Sequence, residues 1–307
     1  MTNHPVHTPY DGSSKLFTIG LKPLDLDRWI EADAYFDAHL AEKRRLYAEM
    51  SDRVFVAEAG TEAAQQEVLD LVTGHLGRHS PELGGAAAQG QTDDRLAASP
   101  LYAASLLVQE DLILMRKSEN GWRLVAGSLC FPSSWSLTEK FGKPLQEIHV
   151  PVPGFGPGTR ADILIARMFD ALPVEQPVER YNWSIQSGDA LYQPLSNDER
   201  DDRTATRPSK FPDGDIAAHA FIRVERQTLR KLPVSRDILF TIRIHLDPLH
   251  ILARHPDRAA LASSFAEQLV ALDETQLDYK GMTADRDRLV GLLHALAEGK
   301  DGVSLPA

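Results

Sequence analysis

The stretch His219–Leu249 runs HAFIRVERQTLRKLPVSRDILFTIRIHLDPL, two alternating segments joined by a proline-marked basic connection. In the second segment Ile238, Phe240, Ile242, Ile244 and Leu246 fall on one face and Thr241, Arg243 and His245 on the other, the period of two of a half-buried strand. In the first, Ile222 and Val224 oppose Phe221, Arg223, Glu225 and Gln227. A hairpin follows, with one aliphatic face and one carrying arginines, a glutamate and a histidine. Counting by parity groups Arg223 and Glu225 with Arg243 or His245. It sends Arg226, an odd step from Arg223, to the aliphatic side or to a sheet edge.

Charge in this stretch opposes the rest of the chain. Arg223, Arg226, Arg230, Lys231, Arg236 and Arg243 stand against only Glu225 and Asp237, in a protein of formal net charge -11. Such an island serves an anionic ligand, a structural ion-pair network or a docking surface. The pI of about 5.5 argues against a nucleic-acid partner. No run approaches the roughly 18 apolar residues of a membrane helix, and MTNHPVHTPYDGSS carries no apolar signal segment, so a cytoplasmic protein without a membrane partner is expected. Cys130, the single cysteine among 307 residues, lies between Leu129 and Phe131 and is expected to be a buried small hydrophobe.

Working outward, LYAASLLVQEDLILMRKSENGWRLVAGSLCF holds two apolar runs split by Lys117–Gly121, a strand-turn-strand signal. ERYNWSIQ at Glu179–Gln186 adds a weaker strand. About five strands without regular intervening helices predict an α+β fold, an antiparallel sheet flanked by N- and C-terminal helices. Helices are expected over Asp25–Met50, Thr61–Leu76, Ala259–Leu272 and Ala284–Glu298, and residues 1–23 as an irregular arm. Gly74, Gly77 and Ser80-Pro81 mark a helix end near His75 and His79, whose spacing of four also suits a metal pair. Residues 82–99 are expected to be a soft loop. Leu191–Pro212 is expected to be a long polar surface loop or partly disordered.

In Ser136–Thr159, SLTEKFGKPLQEIHVPVPGFGPGT, one or two short helices are expected to end near Ile148, because Pro151 and Pro153 bar continuation. The glycine-rich run Gly154–Gly158 looks like a phosphate loop, but its proline removes an amide donor and no strand leads into it.

FGKPLQEIHVPVPG, RYNWSIQ, RVERQTLRKLP followed by ILFTIRIHLDPL, and the late Tyr279-Lys280-Gly281 together resemble the alpha subunit of haem-dependent oxidative N-demethylase, over roughly residues 100–285. One departure is Asp278, where the family pattern has tryptophan. FGKPLQEIHVP is also similar to a tract many PAS domains carry beside their ligand cavity. The resemblance implies one domain over residues 1–307: N-terminal helices at 25–80, a PAS-like haem-binding core at 100–250 and C-terminal helices at 256–300.

It further implies haem b between sheet and helices. The implied activity is oxidative removal of a methyl group from a small secondary amine such as dimethylamine with O2, giving formaldehyde. Electrons are then expected from NADPH through separate flavin and iron–sulfur reductase subunits, since the chain has neither a cysteine cluster nor a dinucleotide fingerprint. The alternative class is a haem- or small-ligand-binding PAS-type sensor without catalysis.

Against those needs, His149 is the expected axial ligand, leaving a helix end between Ile148 and Val150, with His219 and His245 as competitors. Arg223, with Arg226 and Arg243, is expected near the propionates, since guanidiniums suit carboxylates. Glu225 is expected to attract the amine cation and accept its proton. Lys280 is a second proton donor or propionate contact, Tyr279 a hydrogen-bond donor to oxygen, and Asn182 and Trp183 line the pocket. Gly281 beside them also fits a helix cap.

Overall fold

The computed structural model describes residues 4–81, 99–211 and 214–299. The soft loop expected over residues 82–99 falls, apart from Ser99, outside them, as do Pro212 and the tail after Gly299. The fold is α+β, built on one antiparallel sheet of order β1-β5-β6-β7-β3-β4-β2. The strands are β1 (Lys22–Pro23), β2 (Phe55–Ala57), β3 (Asp111–Ser118), β4 (Gly121–Ser128), β5 (Val178–Ser187), β6 (Ala220–Lys231) and β7 (Ile238–Pro248). The five long strands are those expected. The sheet nevertheless has seven, because β1 and β2, of two and three residues, are too short to show any alternation.

The hairpin β6–β7 is the central pair. Its register places Arg226 opposite Arg243, Glu225 opposite Ile244 and Gln227 opposite Ile242. Residues facing each other across an antiparallel pair share a face. The parity grouping is therefore corrected: Arg223 and Glu225 lie on the face of Phe240, Ile242 and Ile244, and Arg226, Arg243 and His245 lie together on the other. On the cavity side a bulge between Leu114 and Met115 of β3 leaves Val125 of β4 without a partner, so Leu124 and Gly127 face the same way. A Cβ at Gly127 would stand 3.1 Å from Leu137 Cδ1, so a larger residue there would push that side chain by a few tenths of an ångström.

Two apolar cores flank the sheet. Ile222, Val224, Trp183 and Ile185 pack with the C-terminal helices Arg258–Val270 and Arg286–Glu298. The helix Phe36–Val54 lies against the same side, where Tyr47 Oη is 2.5 Å from Ser128 Oγ. The buried Lys43 ammonium ties that helix to the chain before β3 through the carbonyls of Ser105, Val108 and Glu110. The opposite side carries residues 17–21 of the arm before β1 and the short helices Leu137–Lys140 and Leu145–Ile148, which end where the prolines predict, then Arg160–Ala171.

Other expectations shift at their ends. The first helix is Phe36–Val54 rather than Asp25–Met50; Asp25 instead caps a 3-10 turn at Leu26–Arg28. The second runs through Gly74 and Gly77 to His79. Leu191–Pro212 is not simply a loop. It holds the helix Asn197–Thr206, opened by a capping box in which Ser196 Oγ accepts from Glu199 N and Glu199 reaches back to Ser196 N. A short helix, Glu274–Lys280, separates the two C-terminal ones, and Gly281 is its left-handed cap at φ 63° as expected. Cys130 is buried beside Asp111, whose carboxylate accepts from the amides of Cys130 and Phe131.

Candidate active-site cavity

One face of β5, β6, β7, β3 and β4 floors a cavity of about 320 Å3, inside the roughly 300–1,000 Å3 of small-molecule and cofactor sites. Glu225, Gln227, Leu229, Phe240, Ile242, Ile113, Met115 and Leu124 form the floor together with Arg180, Asn182 and Ser184 of β5. Phe17, Ile19 and Leu21 of the N-terminal arm make one wall, and Phe155, Ile165, Met168 and Phe169 another. The slot is apolar at its centre and cationic at one end.

His149 lies in this wall because its tract is fastened to β4. Gly142 N donates to Leu124 O at 2.9 Å and Leu124 N donates to Lys143 O at 3.2 Å. Pro144 then starts the single turn Leu145–Ile148, and His149 closes it at φ -91°, ψ -1°. Val152 N donates to His149 O at 2.8 Å, turning the chain away where prolines forbid more helix. Burial, with Lys140 and Arg180 nearby, pushes the imidazole down to about 4, so it is neutral at physiological pH and free to donate a nitrogen lone pair. Phe155 meets the ring edge-on at 6.2 Å between centroids.

The cationic end was only partly foreseen. Arg180, Arg200, Arg203, Lys140, Lys210 and Lys280 all line the cavity, against Glu225 as the single lining carboxylate among the described residues. Arg200 donates to Ser134 O, and Arg203 donates to Tyr279 O at 2.7 Å. Yet Arg180 Nε, Arg200 Nε and Nη1 and Arg203 Nε are buried without partners. A buried guanidinium donor left unpaired costs about 1–3 kcal/mol or more, so this cluster fits an anionic occupant. Ser134, which two of these arginines touch, is held at φ 63°. Burial also pushes Lys140 down to about 8, Lys210 to about 7 and Lys280 to about 8.

Glu225 sits in a polar row on the floor. Asn182 Nδ2 donates to Glu225 Oε2 at 3.2 Å and Gln227 Nε2 donates to the same oxygen at 2.9 Å. Lys280 Nζ donates to Asn182 Oδ1 at 3.0 Å and to Trp183 O at 2.7 Å. Asn182 thus holds an ammonium with its oxygen and a carboxylate with its nitrogen. Tyr279 lines the cavity, under the Arg200 guanidinium at 5.5 Å from the ring centroid, and burial raises its phenol above the ordinary value.

Of the expected residues, then, His149, Glu225, Asn182, Tyr279 and Lys280 meet at one cavity. Arg223 lies on the cavity face but beneath its wall, fully buried and donating to Phe131 O at 2.7 Å, Leu191 O and Gln186 Oε1. Arg226 and Arg243 are on the reverse face. Arg226 donates to Glu179, Trp29 O and Arg28 O, and Arg243 to Asp33 Oδ2 and Glu31 O, clamping the chain at 28–33 onto the sheet. Trp183 is core filler, edge-on to Phe265 with Nε1 3.3 Å from Gln268 Oε1. His219 is exposed at the end of a one-turn helix, and His245 faces Glu31. His75 and His79 have rings 4.5 Å apart against Trp29 and Asp27.

The missed residues had signals. Arg180 is two residues before Asn182 and shares its face, and the Ser196–Glu199 capping box announces the helix that presents Arg200 and Arg203. The Gly154–Gly158 loop spends its Gly158 amide on Asp162 at 2.9 Å. In place of the expected tryptophan, Asp278 accepts from Thr283 Oγ1 and Arg207 Nη2. Among the described residues no helix is long and apolar enough to cross a membrane. A model of the family described as haem-dependent oxidative N-demethylase, alpha subunit-like, matches residues 20–290.

Proposed function

Because the chain belongs to the haem-dependent oxidative N-demethylase, alpha subunit-like family, we propose that its cavity holds haem b and that it demethylates a small secondary amine of the dimethylamine kind. Amine, O2, two electrons and two protons would give the demethylated amine, formaldehyde and water. The observation that carries this reading is that a neutral imidazole and orphaned guanidinium donors line one cavity with apolar walls. Haem would need a nitrogen donor, apolar walls and cations for two propionates, and these residues are of those kinds. His149 would hold the iron. Arg180, Arg200 and Arg203, with Lys210, would take the propionates in place of Arg223, Arg226 and Arg243. When bound, haem supplies the one-electron and oxygen chemistry.

The chain's own residues do the rest. Glu225, the single lining carboxylate among the described residues, draws in the ammonium form of the substrate and accepts its proton, freeing the nitrogen lone pair that oxidation requires. Asn182 and Gln227 hold that carboxylate in place through Oε2. Lys280, lowered to about 8, would give up a proton near neutral pH, and Tyr279, in the cavity lining, would serve as a hydrogen-bond donor. The apolar walls keep water from the reacting methyl group. Electrons would reach the site from separate flavin and iron–sulfur subunits using NADPH, since the buried Cys130 alone cannot hold a cluster. An antiparallel sheet with a cavity on one face supports a PAS-like relationship, and a lone free thiol suits the cytoplasm.

The test is the absorbance spectrum of purified protein beside His149→Ala, with formaldehyde release from dimethylamine and a reductase. The parent should show a haem band that shifts on reduction, and the variant should lose or shift it. Identical spectra would remove His149 as the ligand, and a haem protein that never releases formaldehyde would be a sensor.

A further inference from the structure

On the reverse face of the sheet, away from the cavity, three ligand-type side chains converge that the reaction does not use. His7 comes from the N-terminal arm, Glu31 from the connection before the first long helix, and His245 from β7. Their donor atoms all lie within 4.8 Å of one another. His7 Nε2 is 2.7 Å and His245 Nε2 3.4 Å from the same oxygen, Glu31 Oε2, and the two imidazole rings are 4.6 Å apart. The side chains of His7, His245 and Glu31 are only 10%, 11% and 16% exposed. His245 Nε2 is buried with no hydrogen bond made.

We propose that His7, Glu31 and His245 form a binding site for one divalent transition-metal ion, of which Zn2+ is the best fit, pinning the N-terminal arm to the sheet. Two imidazoles and one carboxylate with an open fourth position are a common zinc set. With bonds of roughly 2.1 Å at tetrahedral angles, ligand atoms stand about 3.4 Å apart. The His245–Glu31 separation already has that value, and the His7–Glu31 contact must open by only about 0.7 Å.

The surroundings suit a cation. Glu31, Asp33, Asp247 and Glu179 gather here against the guanidiniums of Arg28, Arg226 and Arg243, four carboxylates to three cations. Asp247, two residues beyond His245 and on the same face, acts electrostatically on His7. Glu31 is fixed from behind by its backbone amide donating to Glu110 Oε1 at 3.0 Å. The arm so pinned continues into Phe17, Ile19 and Leu21, a wall of the cavity on the other face. Metal binding therefore sets how tightly that wall is held.

Full-length protein stripped with a chelator and titrated with Zn2+ by calorimetry should bind one ion per chain. Affinity should fall more than about 100-fold in His7→Ala, more than the 10–100-fold typical of losing an outer-sphere partner. His75→Ala, a control at the other histidine pair, should bind as the parent does. Zinc should also slow tryptic cleavage at the exposed Lys15 in the parent and not in His7→Ala. A parent that takes up no zinc, a His7→Ala variant with parental affinity, or binding abolished by His75→Ala would each overturn the proposal. His7 is in the arm rather than the sheet, so the test does not hang on refolding a core variant.

Discussion

Replacing Arg226 by methionine separates a ligand-binding arginine from a structural one. Arg226 is 2% exposed and spends its donors on Glu179 at 2.9 Å, Trp29 O at 3.0 Å and Arg28 O at 2.7 Å, with Glu31 3.6 Å away. Methionine keeps much of the apolar stem but leaves two carbonyls and two largely buried carboxylates without their cation. Hydrogen bonds to a charged group contribute about 1.5–3 kcal/mol each, though not additively, and breaking a buried ion pair costs about 3–5 kcal/mol. The expected loss is therefore about 3–5 kcal/mol in unfolding free energy. At about 2 °C per kcal/mol for a chain of this size, it lowers Tm by roughly 6–10 °C. Urea unfolding followed by fluorescence gives the free energy, and the absorbance of the still-folded protein reports the cavity. A spectrum unlike the parent's with stability unchanged would refute the assignment of Arg226 to the reverse face.

Glu225→Gln should keep the fold and the absorbance band while raising the amine KM and lowering kcat, by about 10-fold to 1,000-fold in kcat/KM; parental turnover and affinity would discard its role. Lys280 has a folded value of about 8 against 10.5 unfolded, so between those values the unfolded chain binds the extra proton and stability rises with pH. That gain is on the order of 3 kcal/mol, and urea midpoints from pH 8 to 10.5 should flatten in Lys280→Met. Gly281→Ala should cost about 1–2 kcal/mol, because φ is 63° and the added methyl would stand 3.2 Å from Arg203; thermal melts measure it.

Much of this molecule was legible within single strands and much less between them. Alternation along Ile238–Leu246 is a property of that segment alone, and the structure keeps it. Which residues of β6 share its face depends on the connection Leu232–Asp237, where Leu232 N donates to Asp237 O at 2.8 Å and Arg236 sits at φ 63°. That geometry makes partners of odd- and even-numbered residues, which no count along one strand reveals. The end of the turn before His149 was readable because Pro151 and Pro153 bar its continuation. The helix Asn197–Thr206 was hidden by its polarity: its buried residue is Arg200, so it has no apolar stripe to betray it, only its cap. The pairing of His7 with His245 joins residues 238 positions apart and left no local trace.

The two shortest strands also decide how this protein meets others. An outer strand with a free row of amides invites a foreign chain to extend the sheet. Here one border is Lys22–Pro23, a charge beside a residue that lacks an amide hydrogen, and the other is three residues long. These caps cover only one end of each margin, and beyond Glu179 the outer carbonyls of β5 at Trp183 and Ile185 are taken instead by the Lys280 and Lys210 ammoniums. A foreign strand extending the sheet past β5 would have to displace both lysines from those carbonyls.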